Sequence, residues 1–160
     1  MTMTSVQKIC GSVAIIGAPN AGKSTLVNAM VGTKVSIVSS KVQTTRNRVL
    51  GIALHHQAQI ILIDTPGLFV PQTRLDRAMV SAAWTGASEG DVIAYMFDTK
   101  KKSINENDRK TLMRLAELSK ELPIILVLNK VDAIDKPKLL KFATEMNELC
   151  PFRDTFMISA

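Results

Sequence analysis

Nine residues near the start of the chain have the composition and spacing of a loop that holds phosphates. They follow the pattern Gly-x4-Gly-Lys-Ser and are Gly17, Ala18, Pro19, Asn20, Ala21, Gly22, Lys23, Ser24 and Thr25. Such a loop competes with water for a polyphosphate by presenting backbone N–H groups in fixed directions at the positive end of a helix. The Lys23 ammonium is placed to reach the β- and γ-phosphates, and the Ser24 hydroxyl is suited to coordinate Mg²⁺.

A second motif, Asp64-Thr65-Pro66-Gly67, follows an apolar run. A carboxylate at this point can hold Mg²⁺ through a water molecule, and the Gly67 N–H can meet the γ-phosphate. Asp-x-x-Gly alone is more often a simple turn, but after a phosphate loop it becomes a strong signal. We therefore predict that the nucleotide is bound by Asp64, Thr65, Pro66, Gly67 and the next residue, Leu68.

The third motif, Asn129-Lys130-Val131-Asp132, predicts which base is bound. Guanine offers N1–H and N2–H₂ donors at an edge where adenine does not, and the Asp132 carboxylate can accept from both. We expect Asp132 to be buried, because a buried and unpaired charge would penalise adenine. Asn129 either meets the other edge of the base or ties the loops together, while the Lys130 stem can lie across the ring. The backbone of Ser159-Ala160 would complete the base pocket.

The residues expected to act in hydrolysis come from the same region of the chain. Lys23, Gly67 and one of the two threonines Thr44 and Thr45 are the candidate catalytic residues. Thr44 and Thr45 lie in a polar connector, which can supply a second magnesium hydroxyl only while a γ-phosphate is present, and this is the physical basis of a switch. Leu68 occupies the position where many GTPases carry a water-orienting glutamine. Since leucine cannot orient water, we expect intrinsic hydrolysis to be slow or to need help from elsewhere.

Composition narrows the classes of protein that fit. The 160 residues make one domain by length, and Cys10 and Cys150 form neither a disulfide framework nor a metal cluster, which is typical of reduced thiols in the cytosol. No run approaches the ~18 apolar residues that span a bilayer, and residues 1–10 lack the apolar block of a signal peptide. The net charge is +6, and no acidic residue precedes Asp64. A positive field there suits a polyanionic nucleotide.

Strand and helix patterns alternate along the chain. The predicted strands cover residues 13–16, 49–54, 58–63, 92–97, 123–128 and 155–158. Helical spacing predicts helices over residues 23–31, 75–87 and 138–149, and a further one behind a capping box at Ser103–Glu106. This alternation predicts an α/β fold of the P-loop type, with a mostly parallel six-stranded sheet, helices on both faces and ligand-binding loops along one edge.

The most specific stretch of the chain is Lys41-Val42-Gln43-Thr44-Thr45-Arg46-Asn47-Arg48. It resembles the switch I sequence Lys-x-Gln-Thr-Thr-Arg-x-Arg of the Era family, which are Ras-like GTPases of small ribosomal subunit assembly. The other motifs are shared with several translation-associated GTPases, and the resemblance covers essentially all 160 residues. It implies a Ras-like G domain that hydrolyses GTP to GDP and phosphate as a molecular switch in 30S assembly and 16S rRNA maturation.

The resemblance also assigns metal ligands. It implies Mg²⁺ held by Ser24, by Thr45 rather than Thr44, and by Asp64 through a water molecule. In related GTPases an asparagine at the Asn20 position helps to hold a K⁺ ion that stands in for an arginine finger. Carrying this over makes Asn20 a hypothetical K⁺ ligand.

Era proteins continue into a KH domain that binds the 3′ end of the small-subunit rRNA, and nothing in residues 1–160 resembles the Gly-x-x-Gly loop of that domain. We therefore expect an Era-type G domain over 1–160 that is truncated at its C-terminus and monomeric. Its binding to the small subunit and to 16S rRNA would need the missing KH domain. The resemblance further implies a cytoplasmic protein with peripheral association with the inner membrane.

Two other functions are compatible with the same motifs. One is the G domain of a tRNA-modifying or other ribosome-associated GTPase, although those usually carry Gly-Thr-Thr-Arg-Asp in switch I, whereas Gln43 and Asn47 flank the motif here. The other is a GTP-binding scaffold with negligible turnover, which Leu68 permits. A P-loop ATPase is disfavoured by the motif at 129–132.

Overall fold

The computed structural model describes residues 9–36, 38 and 48–160. Within this part of the chain six strands alternate with four helices in the predicted manner. The strands are β1 (Ile9–Gly17), β2 (Val49–His55), β3 (Ala58–Asp64), β4 (Val92–Asp98), β5 (Ile124–Asn129) and β6 (Asp154–Ile158). The helices are α1 (Lys23–Val31), α2 (Arg74–Ser88), α3 (Glu106–Leu118) and α4 (Lys136–Leu149).

The six strands form one sheet in the order β2-β3-β1-β4-β5-β6. β2 and β3 form an antiparallel hairpin, and the other neighbouring strands pair in parallel. His55 and His56 lie exposed at the hairpin turn. The mostly parallel sheet predicted from the sequence is confirmed, and its parallel strands all end at the same edge.

Helices pack on both faces of the sheet. On one face, α2, α3 and α4 contribute Ala83, Leu112 and Phe142 to a core cluster. On the other face, α1 contributes Val27 to a smaller cluster that includes Met96. β4 and β5 lie between the two layers, and strands buried on both faces need continuous apolar runs. This explains why both could be recognised from the sequence alone.

Two local predictions were wrong. α3 begins with a capping box, but it is formed by Asn105 and Asp108, two residues beyond the box predicted at Ser103–Glu106. The Asn105 side chain accepts from the Asp108 N–H at 2.8 Å, and the Asp108 carboxylate accepts from the Asn105 N–H at 3.1 Å. An Asn–Asp pair satisfies the same backbone donors as Ser–Glu. On α1, the helical spacing of Leu26, Val27, Met30 and Val31 predicts a shared apolar face, but Met30 is 43% exposed.

β1 is longer than predicted. It begins at Ile9 because residues Ile9–Ser12 pair with β3, from Ile9 opposite Ala58 to Ser12 opposite Ile61. The polar and small residues of that stretch gave no apolar signal. Among the described residues, no helix is both long enough and apolar enough to cross a membrane.

Candidate nucleotide-binding site

The three motifs meet at the carboxyl edge of the sheet. The phosphate loop follows β1, the Asp64 motif ends β3, and the Asn129 motif ends β5. β4 lies between β1 and β5 and brings Asp98 to the same edge. In open parallel sheets this edge is where ligands bind.

The phosphate loop enters α1 through Gly22. Its φ of +102° is one that side-chain-bearing residues rarely adopt, and a Cβ there would collide with the Asn129 side-chain amide. α1 then begins at Lys23 without a side-chain cap and without an acidic residue in its first turn. Its N-terminal backbone is therefore the positively polarised end that an anion requires.

Lys23 is buried beneath the loop that it belongs to. Its side chain is 6% exposed, and Nζ donates to the carbonyl oxygens of Gly17 at 3.2 Å and of Ala18 at 2.9 Å. Burial lowers the pKa of the ammonium from 10.5 to about 8, although the nearby Asp64 carboxylate opposes this shift. A phosphate at this position would remove the cost of the buried charge.

Asp64 is fully buried at the end of β3. Its Oδ2 accepts a 2.7 Å hydrogen bond from the Ser24 hydroxyl, whereas Oδ1 has no hydrogen-bond partner among the described residues. A buried carboxylate oxygen without a donor is costly unless a cation or an ordered water satisfies it. Ser24 and Asp64 together form an oxygen-rich pair that fits Mg²⁺, which takes one or two protein ligands and completes its shell with phosphates and water. No group of three or more His, Cys, Asp or Glu residues that could hold a metal ion by itself occurs in the described ranges.

The segment after Asp64 packs directly on the phosphate loop. The Thr65 hydroxyl donates to the Ile15 carbonyl at 2.8 Å, and the Leu68 N–H donates to the Gly17 carbonyl at 2.8 Å. A Cβ on Gly67 would lie 2.8 Å from Cγ of Pro19, so the two loops can approach this closely only with glycine at position 67. The Leu68 side chain is 4% exposed within the larger core cluster, so it points away from any attacking water.

Asn129 ties the two ends of the site together. It is fully buried, and Nδ2 donates to the Ala21 carbonyl of the phosphate loop at 2.8 Å. Its Oδ1 accepts from the backbone N–H groups of Lys130 at 2.8 Å and Ala160 at 2.9 Å. Of the two roles left open by the sequence, the structure supports tying the loops.

Lys130 makes a second connection to the phosphate loop. Its backbone is left-handed, with φ +66°, and its Nζ lies 2.7 Å from the Asn20 carbonyl oxygen and 2.6 Å from Oδ2 of Asp98. Thr99 supports the same loop, because its hydroxyl donates to the Asn129 and Lys130 carbonyls at 2.8 and 3.0 Å. Sequence reasoning missed Asp98 and Thr99. The sequence feature that could have indicated them is that this polar pair follows directly after an apolar strand.

Asp132 is exposed, so the prediction that it is buried was wrong. It lies in a 3-10 turn at Val131–Ala133 that projects from the sheet edge. Its Oδ1 accepts a 2.6 Å hydrogen bond from the Ser159 hydroxyl, which holds the pKa of Asp132 below its ordinary value. The carboxylate is thus charged and oriented at neutral pH. A bound base that contacts it would itself shield it from water.

Some of the predicted residues cannot be placed. Thr44, Thr45 and most of the switch I segment lie outside the described residues. Asn20 is exposed with φ +59°, and its carbonyl is engaged by Lys130. The structure brings together the remaining predicted residues of the phosphate loop, of the 64–68 segment and of the 129–132 and 159–160 segments.

This arrangement of three loops on a six-stranded sheet is the Ras-like, P-loop GTPase fold. The chain belongs to the family described as 50S ribosome-binding GTPase, whose family model matches residues 12–130.

Three similar proteins define the relationship more closely. GTPase Era of Bradyrhizobium diazoefficiens is 54% identical over 151 residues, which cover 94% of this chain and 48% of that protein. A crystal structure of an Aquifex aeolicus Era variant bound to GDP·AlF4⁻ has a TM-score of 0.83 and 38% identity, covering 94% of this chain and 51% of the other. Era in complex with MgGDPNP and nucleotides 1506–1542 of 16S ribosomal RNA has a TM-score of 0.81 and 37% identity, covering 96% and 52%. The resemblance to Era is confirmed, and the chain spans about half the length of these relatives.

Proposed function

We propose that this chain binds and hydrolyses GTP as the switch domain of a small ribosomal subunit assembly factor that acts in 16S rRNA maturation. The observation that carries the nucleotide part is the direct joining of the base-recognition loop to the phosphate loop. Asn129 donates to the Ala21 carbonyl, and Lys130 donates to the Asn20 carbonyl. A ligand that spans both loops needs them at a fixed separation, and these two bonds provide it.

Each predicted residue has a proposed role at this site. Gly17–Thr25 surrounds the phosphates with backbone N–H groups, and the Lys23 ammonium leaves its two carbonyl partners to meet the β- and γ-phosphates. Asp132 accepts from the guanine N1–H and N2–H₂ donors. The Lys130 stem lies along the ring, and the backbone at Ser159-Ala160 closes the pocket.

Mg²⁺ fits the Ser24–Asp64 pair, with Thr45 as a further proposed ligand. When bound, the ion neutralises charge on the β- and γ-phosphates during transfer. The chain's own contribution is to hold the ligand oxygens. Asp64 is buried with Oδ1 unsatisfied among the described residues, and its Oδ2 aligns the Ser24 hydroxyl.

In the proposed reaction, water attacks the γ-phosphorus in line, and GDP and phosphate are released. The Gly67 N–H is positioned beside the phosphate loop, where it can stabilise charge on the transferred group. The buried Leu68 side chain leaves the described part of the switch without a water-orienting group at that position, which supports slow intrinsic turnover. Solved Era relatives contain MgGDPNP and GDP·AlF4⁻, and this supports both the nucleotide and the metal.

The ribosomal role is supported by relatives rather than by the site itself. A solved Era is in complex with nucleotides 1506–1542 of 16S ribosomal RNA, and the curated relatives are named GTPase Era. Small-subunit binding through a KH domain, a cytoplasmic location with peripheral inner-membrane association, and a monomeric state of this chain remain predictions. The 54% identity to Era favours this role over that of a tRNA-modifying relative.

A single-turnover assay tests the hydrolytic part. Nucleotide-free chain in excess over GTP and in the presence of Mg²⁺ should convert the GTP to GDP and phosphate. A scaffold would bind GTP and retain it unchanged, and that result would replace the proposed activity with the alternative. Running the assay in K⁺ and in Na⁺, with wild-type chain and Asn20→Ala, tests the hypothetical K⁺ site. Equal rates in the two salts would remove it.

A further inference from the structure

A groove lies between α2 and α3, and its lining includes none of the residues assigned to the nucleotide site. Its volume is about 420 Å³. Its polar lining comprises Arg77, Ser81, Thr85 and Ser88 of α2 and Arg114 of α3, with Trp84 below them. None of these residues has a role in the proposed nucleotide chemistry.

The α2 side of the groove is a row of polar side chains, of which the last, Ser88, donates its hydroxyl to the Trp84 carbonyl at 3.2 Å. Arg77, Ser81, Thr85 and Ser88 are spaced at i, i+4, i+8 and i+11, so they share one helix face, and all four are exposed. At 1.5 Å per residue the row is about 16 Å long. A row of this length fits an extended ligand rather than a compact one.

The charge of the groove is positive and not neutralised. Its lining contains two guanidinium groups and no carboxylate. Among the described residues neither Arg77 nor Arg114 forms an ion pair, whereas Arg109 on α3 pairs with Glu145 and Arg153 pairs with Asp154. Guanidinium and hydroxyl groups in a row are the side chains that contact phosphodiester oxygens.

Arg114 provides a flat surface. Its guanidinium lies over the Trp84 ring, 4.1 Å from the ring centroid, and Trp84 is only 8% exposed beneath it. This cation–π contact holds the guanidinium against the indole. Arg114 is itself exposed, so its guanidinium is accessible to a ligand while it rests on the indole. Unpaired nucleobases stack on arginine planes of this kind.

We propose that the α2–α3 groove binds single-stranded RNA, with phosphates along Arg77 and the hydroxyl row and a base stacked on Arg114. An acidic peptide could use the two charges but not the guanidinium plane. The preference for RNA over other polyanions also rests on the proposed role in ribosome assembly. The groove is lined by residues of this chain, so RNA binding there does not depend on the predicted KH domain.

Trp84 is the only tryptophan in the chain, so its fluorescence reports on the groove directly. The experiment titrates a 12-nucleotide single-stranded RNA of mixed sequence into wild-type chain saturated with GDP and Mg²⁺, which keeps RNA phosphates out of the P-loop. We expect a saturable change in Trp84 fluorescence. Arg77→Gln should weaken binding and reduce the slope of log K against log salt by about 0.7, the value for one phosphate contact on a single strand.

Arg114→Lys separates stacking from charge. It keeps the positive charge but loses the plane, so we expect binding to weaken about fivefold or more, the lower end for loss of one stacked base, with the salt slope unchanged. Arg153→Gln is the matched control, since it removes one exposed charge beside β6 at the far edge of the sheet. It should bind RNA like the wild type.

Any one of four results would contradict RNA binding in the groove. Two concern the titration and the stacking variant: no change in Trp84 fluorescence on adding RNA, or an Arg114→Lys chain that binds RNA with wild-type affinity. The other two concern specificity: Arg77→Gln and Arg153→Gln weaken RNA binding equally, or a polyglutamate peptide at equal concentration displaces the RNA. The last result would identify a protein partner instead. GDP binding, measured by calorimetry on the same samples, separates this proposal from the nucleotide function. A chain that binds GDP but not RNA would contradict only the proposed RNA binding in the groove and not the nucleotide function.

Discussion

The phosphate end and the base end of the candidate site are built in different ways. At the phosphate end Lys23 and Asp64 are buried, and their partners are main-chain carbonyls and a neighbouring hydroxyl. At the base end Asp132 and Ser159 are exposed and bond to each other through side chains. Asn129, which is buried, joins the two ends, and Lys130 adds a second bond to the Asn20 carbonyl.

This difference indicates which property of the protein, its fold or its choice of ligand, depends on each end of the site. Buried groups are fixed by the fold, so the phosphate end is already shaped when the sheet forms. Exposed side chains contribute little to folding and are free to serve selectivity. We therefore expect substitutions at the phosphate end to abolish affinity for any nucleotide, and substitutions at the base end to change which base is preferred.

The largest effect is expected for Lys23→Met. Hydrogen bonds to charged groups contribute roughly 1.5–3 kcal/mol each, so loss of the ammonium should weaken GDP and GTP binding about 100-fold or more. The free energy of unfolding should fall by no more than about 1 kcal/mol, because a buried charge that costs free energy to bury is also removed. Calorimetry and urea unfolding measure both quantities, with the exposed Lys34→Met as control. Retained affinity would show that Lys23 does not contact the phosphates.

At the base end, Asp132→Asn should change the preferred base from guanine to xanthine. An amide can donate to the 2-oxo group of xanthine but cannot accept from both guanine donors, so GDP binding should weaken about 100-fold and XDP should become the better ligand. Stability should stay within about 0.5 kcal/mol because the side chain is exposed. The control is Asp135→Asn, three residues away, whose side chain makes no capping hydrogen bond. An unchanged preference for GDP would contradict the assignment of the base end.

A smaller effect is expected at the connection between the two ends. Asp98→Asn removes the charge partner of Lys130, whose Nζ also bonds to the Asn20 carbonyl. Loss of this partly buried pair should weaken GDP binding by about 1.4 kcal/mol. We therefore expect GDP release to be about tenfold faster, as measured in stopped-flow chases. Asp154→Asn is an exposed control. If GDP release is unchanged, Lys130 is held without Asp98.

The smallest effect is a pH dependence. The pKa of Lys23 is about 8 in the free chain, and bound phosphates should raise it. GDP binding at pH 8 should therefore take up about half a proton, and affinity should fall about threefold from pH 7.5 to 8.5. Calorimetry in two buffers of different ionisation enthalpy measures the uptake, which Lys23→Met should abolish. Uptake that persists in this variant would assign the proton elsewhere.

Lys23 also links pH to the stability of the free chain. Its pKa is lower in the folded state than in the unfolded state, where the ordinary value is 10.5. The unfolded state therefore holds more protons between about pH 8 and 10.5, and the free energy of unfolding should rise with pH across that window. A free energy that falls there in the wild type relative to Lys23→Met would contradict the buried position of the ammonium.

Sequence patterns predicted the sheet, the loops at its edge and the members of each motif, because apolar periodicity and glycine spacing are local signals. β4 and the phosphate loop illustrate this. The contacts that join the motifs were not predictable in the same way. Asp98 meets Lys130 across 32 residues of chain, and such a contact depends on the order of strands in the sheet.

Burial of a polar group was equally hard to predict. Asp64 and Asp132 are both aspartates that follow buried strands, yet one is fully buried and the other exposed. Asp64 is the last residue of β3 itself, whereas Asp132 lies three residues beyond β5 in a turn that leaves the sheet. A difference of three residues is within the uncertainty of a strand end read from sequence.

The most direct test of the account is a pair of calorimetric titrations of nucleotide-free chain in Mg²⁺, one with GDP and one with ADP. Because the two nucleotides have the same phosphates, the comparison isolates the base end while requiring the phosphate end to function. We expect saturable heat with GDP at a one-to-one ratio and an affinity for ADP lower by about 10³-fold or more, because adenine would leave the polar groups of the base end unpaired. Equal binding of the two nucleotides, or no heat with GDP from a folded chain, would contradict it.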